Sequence, residues 1–358
     1  MAAPRSSALS IAVIPGDGIG PEVIREAVGV LKLLGELLGQ GFQLTEYPWG
    51  ADEYLRTGIG LPNGALDELR QQDAILFGAV GDPRIRDMRH GREILMRMRF
   101  ELDLFVNYRP VKLLDERLCP LKGRGLEDVD FVVVRENTEG LYVGMGGIFK
   151  KDTPDEVAIQ EDVNTRKGVE RVLRYAFDSA RAAGRKEVVM SDKSNVLTFG
   201  HDLWQRCFQA VAAEYPDIAA RHLFVDALAM QMIKDPGQFE VIVTCNMFGD
   251  IVTDLGAQLQ GGLGVAASGN INPNGVSLFE PIHGSAPKYA GKGVANPLGA
   301  VLTAQLMLEH LGLKEAGALI ERAVVAAIRA GQTTSDLGGS LSTQAAGAAV
   351  RDQLRRVA

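Results

Sequence analysis

Cysteine is scarce in this chain of 358 residues, which holds three, Cys119, Cys207 and Cys245. An odd, widely spaced set forms neither a disulfide framework nor a zinc-ligand pair, so these read as reduced thiols. Long apolar runs are missing too: none approaches the roughly 18 residues that a membrane span requires. The N-terminus has one arginine and a short apolar run from Ala8 to Ile14, without the core and cleavage site of a signal peptide, so a cytoplasmic protein is expected. Positive charge is in deficit, with 38 basic against 45 acidic side chains and a formal charge of −7. Binding to nucleic acid needs a basic footprint, and the Lys/Arg-dense stretch from Arg84 to Arg99 is mixed with Asp82, Asp87 and Glu93. Nucleic acid and membrane are therefore excluded as expected partners, and any anion site must be local. There is no G-x-S-x-G elbow and no H-E-x-x-H, and Gly291-Lys292 is followed by Gly293 where a P-loop needs Ser or Thr. Hydrolase and nucleoside triphosphatase readings lose support.

What is present is ordinary globular material, 46% hydrophobic and 23% charged. The length exceeds what one core usually organises, so two packed lobes are expected. Short β-rich runs alternate with helical stretches. Ser10–Ile14 reads as a buried strand ended by a Gly-rich turn, and Pro21 stands at a favoured first-turn position before a helix over Val23–Leu38. Ala74–Phe77, Phe131–Val134, Glu187–Met190 and Phe239–Thr244 are further strand candidates, each followed by a polar or Gly-containing loop. This is an α/β pattern. Gly144–Phe149 followed by Glu156–Gln160 reads instead as a projecting β-hairpin arm, which suggests a dimer contact. From Pro297 the tail is helical, with a break over Gly331–Gly339.

Three constellations carry chemistry. Gly16-Asp17-Gly18-Ile19-Gly20 is G-x-G-x-G rather than G-x-G-x-x-G, and is either a tight strand-to-helix turn or a pyrophosphate loop. Asp250 and Asp254 are one helical turn apart, so their carboxylates share a face and repel unless a cation lies between them. Compensation of the helix dipole explains Asp250 and explains Asp254 less well. Oxygen ligands without His or Cys suit Mg2+ or Mn2+, and Asp226, at the end of another apolar run, could complete the set. Arg109 and Arg135 lie at strand-end settings and Arg99 lies before them; their guanidinium forks match carboxylates. Lys193 follows an apolar run and is either a turn lysine or a functional one.

Together these segments resemble the β-decarboxylating dehydrogenases, the family of 3-isopropylmalate, isocitrate, homoisocitrate and tartrate dehydrogenases. The matching blocks are IPGDGIGPE from Ile14, RFELDLFVNYRP from Arg99, RENTEGLY from Arg135, SDKSNVL from Ser191, VDALAM from Val225, NMFGDIVTD from Asn246 and HGSAPKYAGKGVANP from His283. They follow the family order over nearly the whole chain. The resemblance implies an α/β fold of two lobes with the active site in the interdomain cleft and a β arm at the dimer interface. It implies a discontinuous large cofactor lobe over 1–105 and 261–358, and a small lobe over 106–260 with the arm and the metal aspartates. By resemblance, Arg99, Arg109 and Arg135 hold substrate carboxylates, while Asp226, Asp250 and Asp254 hold Mg2+ or Mn2+. Lys193 serves as or relays to the general base for oxidation of the hydroxyl, and Tyr142 protonates the carbon left by decarboxylation. A homodimer with shared active sites is implied, Lys193 and Asp226 entering the neighbour's site. The cofactor, NAD or NADP, is implied to lie on His283, Gly284, Ser285, Ala286, Pro287, Lys288, Tyr289 and Asn296, with Asn195 from the SDKSNVL block.

Two departures refine this expectation. Members using NAD usually carry an Asp and a small aliphatic residue where this chain has Lys288 and Tyr289, as NADP-dependent isocitrate dehydrogenases do. Ala295 and the stretch Thr334–Gly339, with Asp336, look instead like the NAD branch. Acceptance of NADP is expected. Leu95 and Met96 stand where isopropylmalate enzymes present leucines to the isopropyl group, so the favoured reaction is 3-isopropylmalate to 2-oxoisocaproate, a step of leucine biosynthesis. Arg92 or Arg97, turned inward, could instead receive the third carboxylate of isocitrate or homoisocitrate. Tartrate and D-malate are smaller alternatives, and a metabolite-binding protein that lost turnover is the non-enzymatic one.

Overall fold

The computed structural model describes residues 8–358; the leading residues, on which the expectation of no signal peptide partly rests, lie outside the described ones. The chain divides into two compact units, Met1–Leu104 with Leu113–Leu126 and Ala257–Ala358, and Phe105–Lys112 with Glu127–Gly256. The sequence expectation ran 106–260 as one uninterrupted lobe, and here it needs correction, since Leu113–Leu126 belongs to the first unit. Arg117 Nη2 donates to Ile328 O at 2.9 Å and Leu118 packs against the backbone of Gly261, contacts that no local pattern reveals.

In the first unit, five strands lie in the order Phe42–Glu46, Leu9–Gly16, Ala74–Ala79, Ser277–Pro281 and Ala267–Ile271. The first four pair in parallel and the last is antiparallel to its neighbour. Ile11–Ile14 and Ala74–Phe77 are buried on both faces, which explains their continuous apolar character. The helix Gly20–Leu38 carries Pro21 in its first turn, where no N–H partner is lost, and ends at Gly39 in the left-handed region. The tail forms three helices, Leu298–His310, Lys314–Arg329 and Thr343–Val357.

The Gly-rich turn between the first strand and helix is closely packed. The backbone N–H groups of Asp17, Ile19 and Gly20 donate to the carbonyls of Ala79, Ser285 and Asp17, so they are committed within the protein rather than presented to a pyrophosphate. Gly18, at φ +61°, admits no side chain, because a Cβ there would lie 1.9 Å from Ser285 O.

In the second unit the order is Val106–Lys112, Asp130–Glu136, Val241–Thr244, Glu187–Asp192 and Ala219–Phe224, antiparallel at the first pairing and parallel beyond it. Helix Arg166–Ala182 is capped by Thr165, which accepts from Gly168 N, and buries Val169, Val172, Leu173, Ala176 and Ala180 at helical spacing. The arm is a separate hairpin, Gly146–Phe149 against Val157–Gln160, whose apolar Ile148, Phe149, Val157 and Ile159 are exposed. No helix among the described residues is long and apolar enough to cross a membrane.

Candidate active site

The second unit gathers its chemistry where the strand Asp130–Glu136 and the helix Asn246–Leu259 meet. Arg135 follows the buried run Phe131–Val134 and is itself 1% exposed, so its guanidinium needs acceptors within the protein. Its Nε and Nη2 donate to Asn246 Oδ1 at 3.1 and 2.7 Å, and its Nη1 donates to Asp250 Oδ1 at 2.5 Å. Asn246 and Asp250 are four residues apart in the helix and therefore face the same way. Arg109 arrives from the neighbouring antiparallel strand: Nη1 donates to Thr253 Oγ1 at 2.5 Å and Nη2 to Asp250 Oδ1 at 3.4 Å. The Tyr142 hydroxyl donates to Asp250 Oδ2 at 2.9 Å, and its ring lies 5.2 Å from the Arg135 guanidinium carbon. Arg109, Arg135, Tyr142 and Asp250, expected separately, thus form one hydrogen-bonded cluster. The sequence reading missed Asn246 and Thr253. Their positions four before and three after Asp250 were the available signal.

Gly249 makes room for this cluster. A Cβ at this position would stand 2.4 Å from Arg135 Cγ and 2.6 Å from its Cβ, so the arginine stem passes where any other residue would have a side chain. The loop holding Tyr142 is pinned by Glu136, which accepts from Thr138 N and Oγ1 and from Glu139 N, each at 2.8 Å. Burial nonetheless pushes the Glu136 carboxyl above its ordinary pKa.

Asp254 lies one turn beyond Asp250. Desolvation and, next, the Asp250 charge push its carboxyl pKa up against the lowering influence of Arg109 and Arg135. A hard cation at this pair would relieve that repulsion, and the oxygen donors suit Mg2+ or Mn2+, so the residues fit the ion that the sequence implies. Asp226 is elsewhere in the unit, bonded to Lys193 Nζ at 2.7 Å, a contact that lowers the Asp226 carboxyl pKa. Among the described residues, no three His, Cys, Asp or Glu side chains are grouped to hold a metal. Asp226 is thus not brought together with Asp250 and Asp254 within one chain. Asn195 is exposed in the turn that follows Lys193.

In the first unit, Arg99 is buried and donates through Nη2 to Glu280 Oε1 at 2.9 Å, while its Nε has no partner in the protein. Glu280 also accepts from Asn270 Nδ2 at 2.8 Å. Leu95 and Met96 lie in a π-helical turn, Arg92–Met96, just before the helix of Arg99. Leu95 packs partly buried against the core, and Met96 Sδ lies 4.0 Å from Arg99 Nη1. Arg97 is engaged by Glu101 Oε1 at 2.7 Å and Leu61 O at 3.3 Å, and Arg92 is exposed.

A cavity of about 390 Å3 in the same unit is lined by Ile19, His283, Ala286, Tyr289, Asn296 and Asp336. His283 is buried, its Nδ1 faces Gly284 O at 3.0 Å, and its Nε2 has no partner in the protein. Burial lowers its pKa, so the ring is neutral and offers an acceptor toward a ligand donor. Ala286 is held at φ +40°, a strained setting for a residue with a Cβ, as is common at ligand-binding loops. Asp336 accepts from Asn296 Nδ2 at 2.9 Å and from Thr334 Oγ1 at 2.5 Å. Lys288 Nζ lies 4.6 Å from the Tyr289 ring centre. A buried acceptor without a protein partner beside this cavity fits a ligand that brings a hydrogen-bond donor, as a nicotinamide dinucleotide would.

Comparison with known proteins shows the family and the fold of the chain. The model of the isocitrate/isopropylmalate dehydrogenase family matches residues 10–350. The chain is 51% identical over 318 residues to a 3-isopropylmalate dehydrogenase of Thermobifida fusca, covering 88% of this chain and 90% of that one. It is 48% identical over 351 residues to the 3-isopropylmalate dehydrogenase of Streptomyces coelicolor, covering 96% and 100%. Among solved structures, isocitrate dehydrogenase from Methylococcus capsulatus superposes with a TM-score of 0.87 at 38% identity over 97% of this chain and 99% of that one. A β-decarboxylating dehydrogenase from Thermococcus kodakarensis gives 0.80 at 36% identity, covering 97% and 96%.

Proposed function

The chain belongs to the isocitrate/isopropylmalate dehydrogenase family, and from that premise we propose that it oxidatively decarboxylates 3-isopropylmalate to 2-oxoisocaproate. The observation that carries this reading is the cluster in which Arg109, Arg135 and Tyr142 all bond Asp250. Two guanidinium groups for carboxylates, a phenol able to give a proton and a carboxylate ligand are what a 2-hydroxy acid with a neighbouring carboxylate requires.

When bound, Mg2+ or Mn2+ supplies stabilisation of negative charge on the substrate oxygen, and NAD or NADP supplies the two-electron acceptor. Asp250 and Asp254, with Asp226, would hold the cation. Arg109 and Arg135, with Arg99, bind and orient the carboxylates, exchanging Asp250 for substrate oxygens. Lys193 serves as or relays to the general base for the hydroxyl proton, and the Tyr142 hydroxyl delivers a proton to the carbon freed by loss of CO2. Because Asp226 and Lys193 stand together and apart from the Asp250 cluster, we assign them to the neighbour's site in a homodimer with shared active sites. The exposed apolar arm supports that assembly.

The favoured substrate follows from what borders Arg99. Leu95 and Met96 are apolar, and Arg97 is occupied by Glu101, which leaves it poorly placed to receive a third carboxylate. For the cofactor, Lys288 adds a cation beside the dinucleotide loop and supports acceptance of NADP, while Asp336 and Ala295 keep NAD acceptable. Absorbance at 340 nm with Mn2+, both cofactors and a panel of 3-isopropylmalate, isocitrate, homoisocitrate, tartrate and D-malate tests the reading. The highest kcat/KM is expected with 3-isopropylmalate. A higher value with isocitrate or homoisocitrate would overturn the substrate assignment, and negligible turnover with NADP would overturn the cofactor assignment.

A further inference from the structure

Lys193 is positioned by polar contacts to its own backbone and to the preceding Asp192, one from His201, eight residues on in the chain, and one from His222. The backbone N–H of Lys193 donates to His201 Nδ1 at 2.9 Å. The Lys193 carbonyl accepts from Val196 and Leu197, and the His201 N–H donates to Leu197 O, so the turn is tied at both ends. On the other side, Asp192 is 1% exposed and fully engaged. Its Oδ1 accepts from Ser194 N and Oγ at 3.1 Å and faces His222 Nε2 at 2.8 Å, and its Oδ2 accepts from Gln205 Nε2 at 2.7 Å. The His222 ring then packs edge-on against Phe224, whose own ring lies 5.9 Å from Lys193 Nζ.

Resting on the role of Lys193 given above, we propose that His201 and His222 are positioning residues, a two-histidine clamp that fixes the Lys193 turn and so aims its side-chain nitrogen at its work. Neither ring touches reacting atoms; each acts through a neighbour. The role demands a particular tautomer of His201. Nδ1 must be an unprotonated acceptor, which leaves the proton on Nε2, where Asp162 Oδ2 at 4.0 Å favours it. Burial lowers the pKa of this ring, more than Asp192 and Asp162 raise it, and so keeps the acceptor available. His201 is also held edge-on to Phe248, at 5.5 Å between ring centres, so the ring cannot swing away without losing packing. His222 does the opposite job as donor, holding the carboxylate that precedes the lysine.

The clamp predicts which substitutions preserve turnover. His201→Asn can place an amide oxygen where Nδ1 now accepts, and His222→Gln can place an amide N–H where Nε2 now donates. His201→Phe and His222→Phe keep the ring packing and remove the polar function. With saturating Mn2+, kcat of the two Phe variants should fall about tenfold or more, because an error of about 1 Å in a reacting group is costly, while KM for the substrate stays near wild type. The Asn and Gln variants should recover most of that loss, and thermal unfolding identifies variants that fail to fold. Folded His201→Phe and His222→Phe enzymes with unchanged kcat, or amide variants as impaired as the Phe ones, would overturn the clamp. Lys193→Met separates the two claims: inactivity supports the role of the lysine, and near-normal turnover would sink that role and the clamp with it.

Discussion

Replacing Gly249 by alanine tests the cluster without removing a single functional group. The added Cβ would stand 2.4 Å from Arg135 Cγ, whereas an ordinary contact begins near 3.4 Å, so the arginine stem or the helix must yield by about 1 Å. The guanidinium is at the end of that stem and bonds Asn246 and Asp250 at once, so a shift of this size degrades both contacts. Misplacement of about 1 Å in a substrate-positioning group costs on the order of 100-fold, equivalent to about 2.7 kcal/mol of transition-state stabilisation. Stability should suffer separately by about 1–3 kcal/mol from overpacking. The assay is kcat/KM with 3-isopropylmalate beside a thermal unfolding curve, the first reporting geometry and the second packing. Gly249→Ala with kcat/KM within twofold of wild type would refute the argument that this glycine is present for Arg135.

Mixing two inactive variants, Lys193→Ala and Tyr142→Phe, should restore about a quarter of wild-type turnover after subunit exchange, because half of the dimers would hold one intact site. No recovery in a demonstrably exchanged sample would show that the two residues serve the same chain. Lys288→Asp should lower kcat/KM with NADP relative to NAD by tenfold or more, since a cation facing the 2′-phosphate becomes a repelling anion, on the order of 1.4 kcal/mol or above. An unchanged ratio would remove Lys288 from cofactor choice. Stability should fall as pH drops below about 6.5, because burial depresses the pKa of His201 and His283 in the folded state and the unfolded chain then binds more protons. The corresponding loss in Tm between pH 7.5 and 5.5 should shrink in His201→Asn; an identical loss would assign the pH effect to other groups.

Motif order along the chain was sufficient to read the α/β class, the family and most of the residues in the Asp250 cluster. Those features are written in local spacing: a helical turn between Asp250 and Asp254, an arginine directly after a buried strand, a proline in the first turn of a helix. The lobe bounds implied by the resemblance missed one segment, because Leu113–Leu126 lies between two segments of one unit and packs in the other. The Gly-rich turn stayed ambiguous in one dimension, since G-x-G-x-G is compatible with two loops; the N–H groups of Asp17, Ile19 and Gly20, bonded within the protein, favour the tight turn. The partner of Arg135 is 111 residues away, and the histidines that grip Lys193 and Asp192 lie on separate elements. Such contacts are set by how strands and helices stack, and a buried guanidinium accepts whichever oxygen the stacking supplies. For that reason candidates for the reacting groups could be named from linear order, while their acceptors, their tautomers and the space that Gly249 leaves open belong to the folded chain alone.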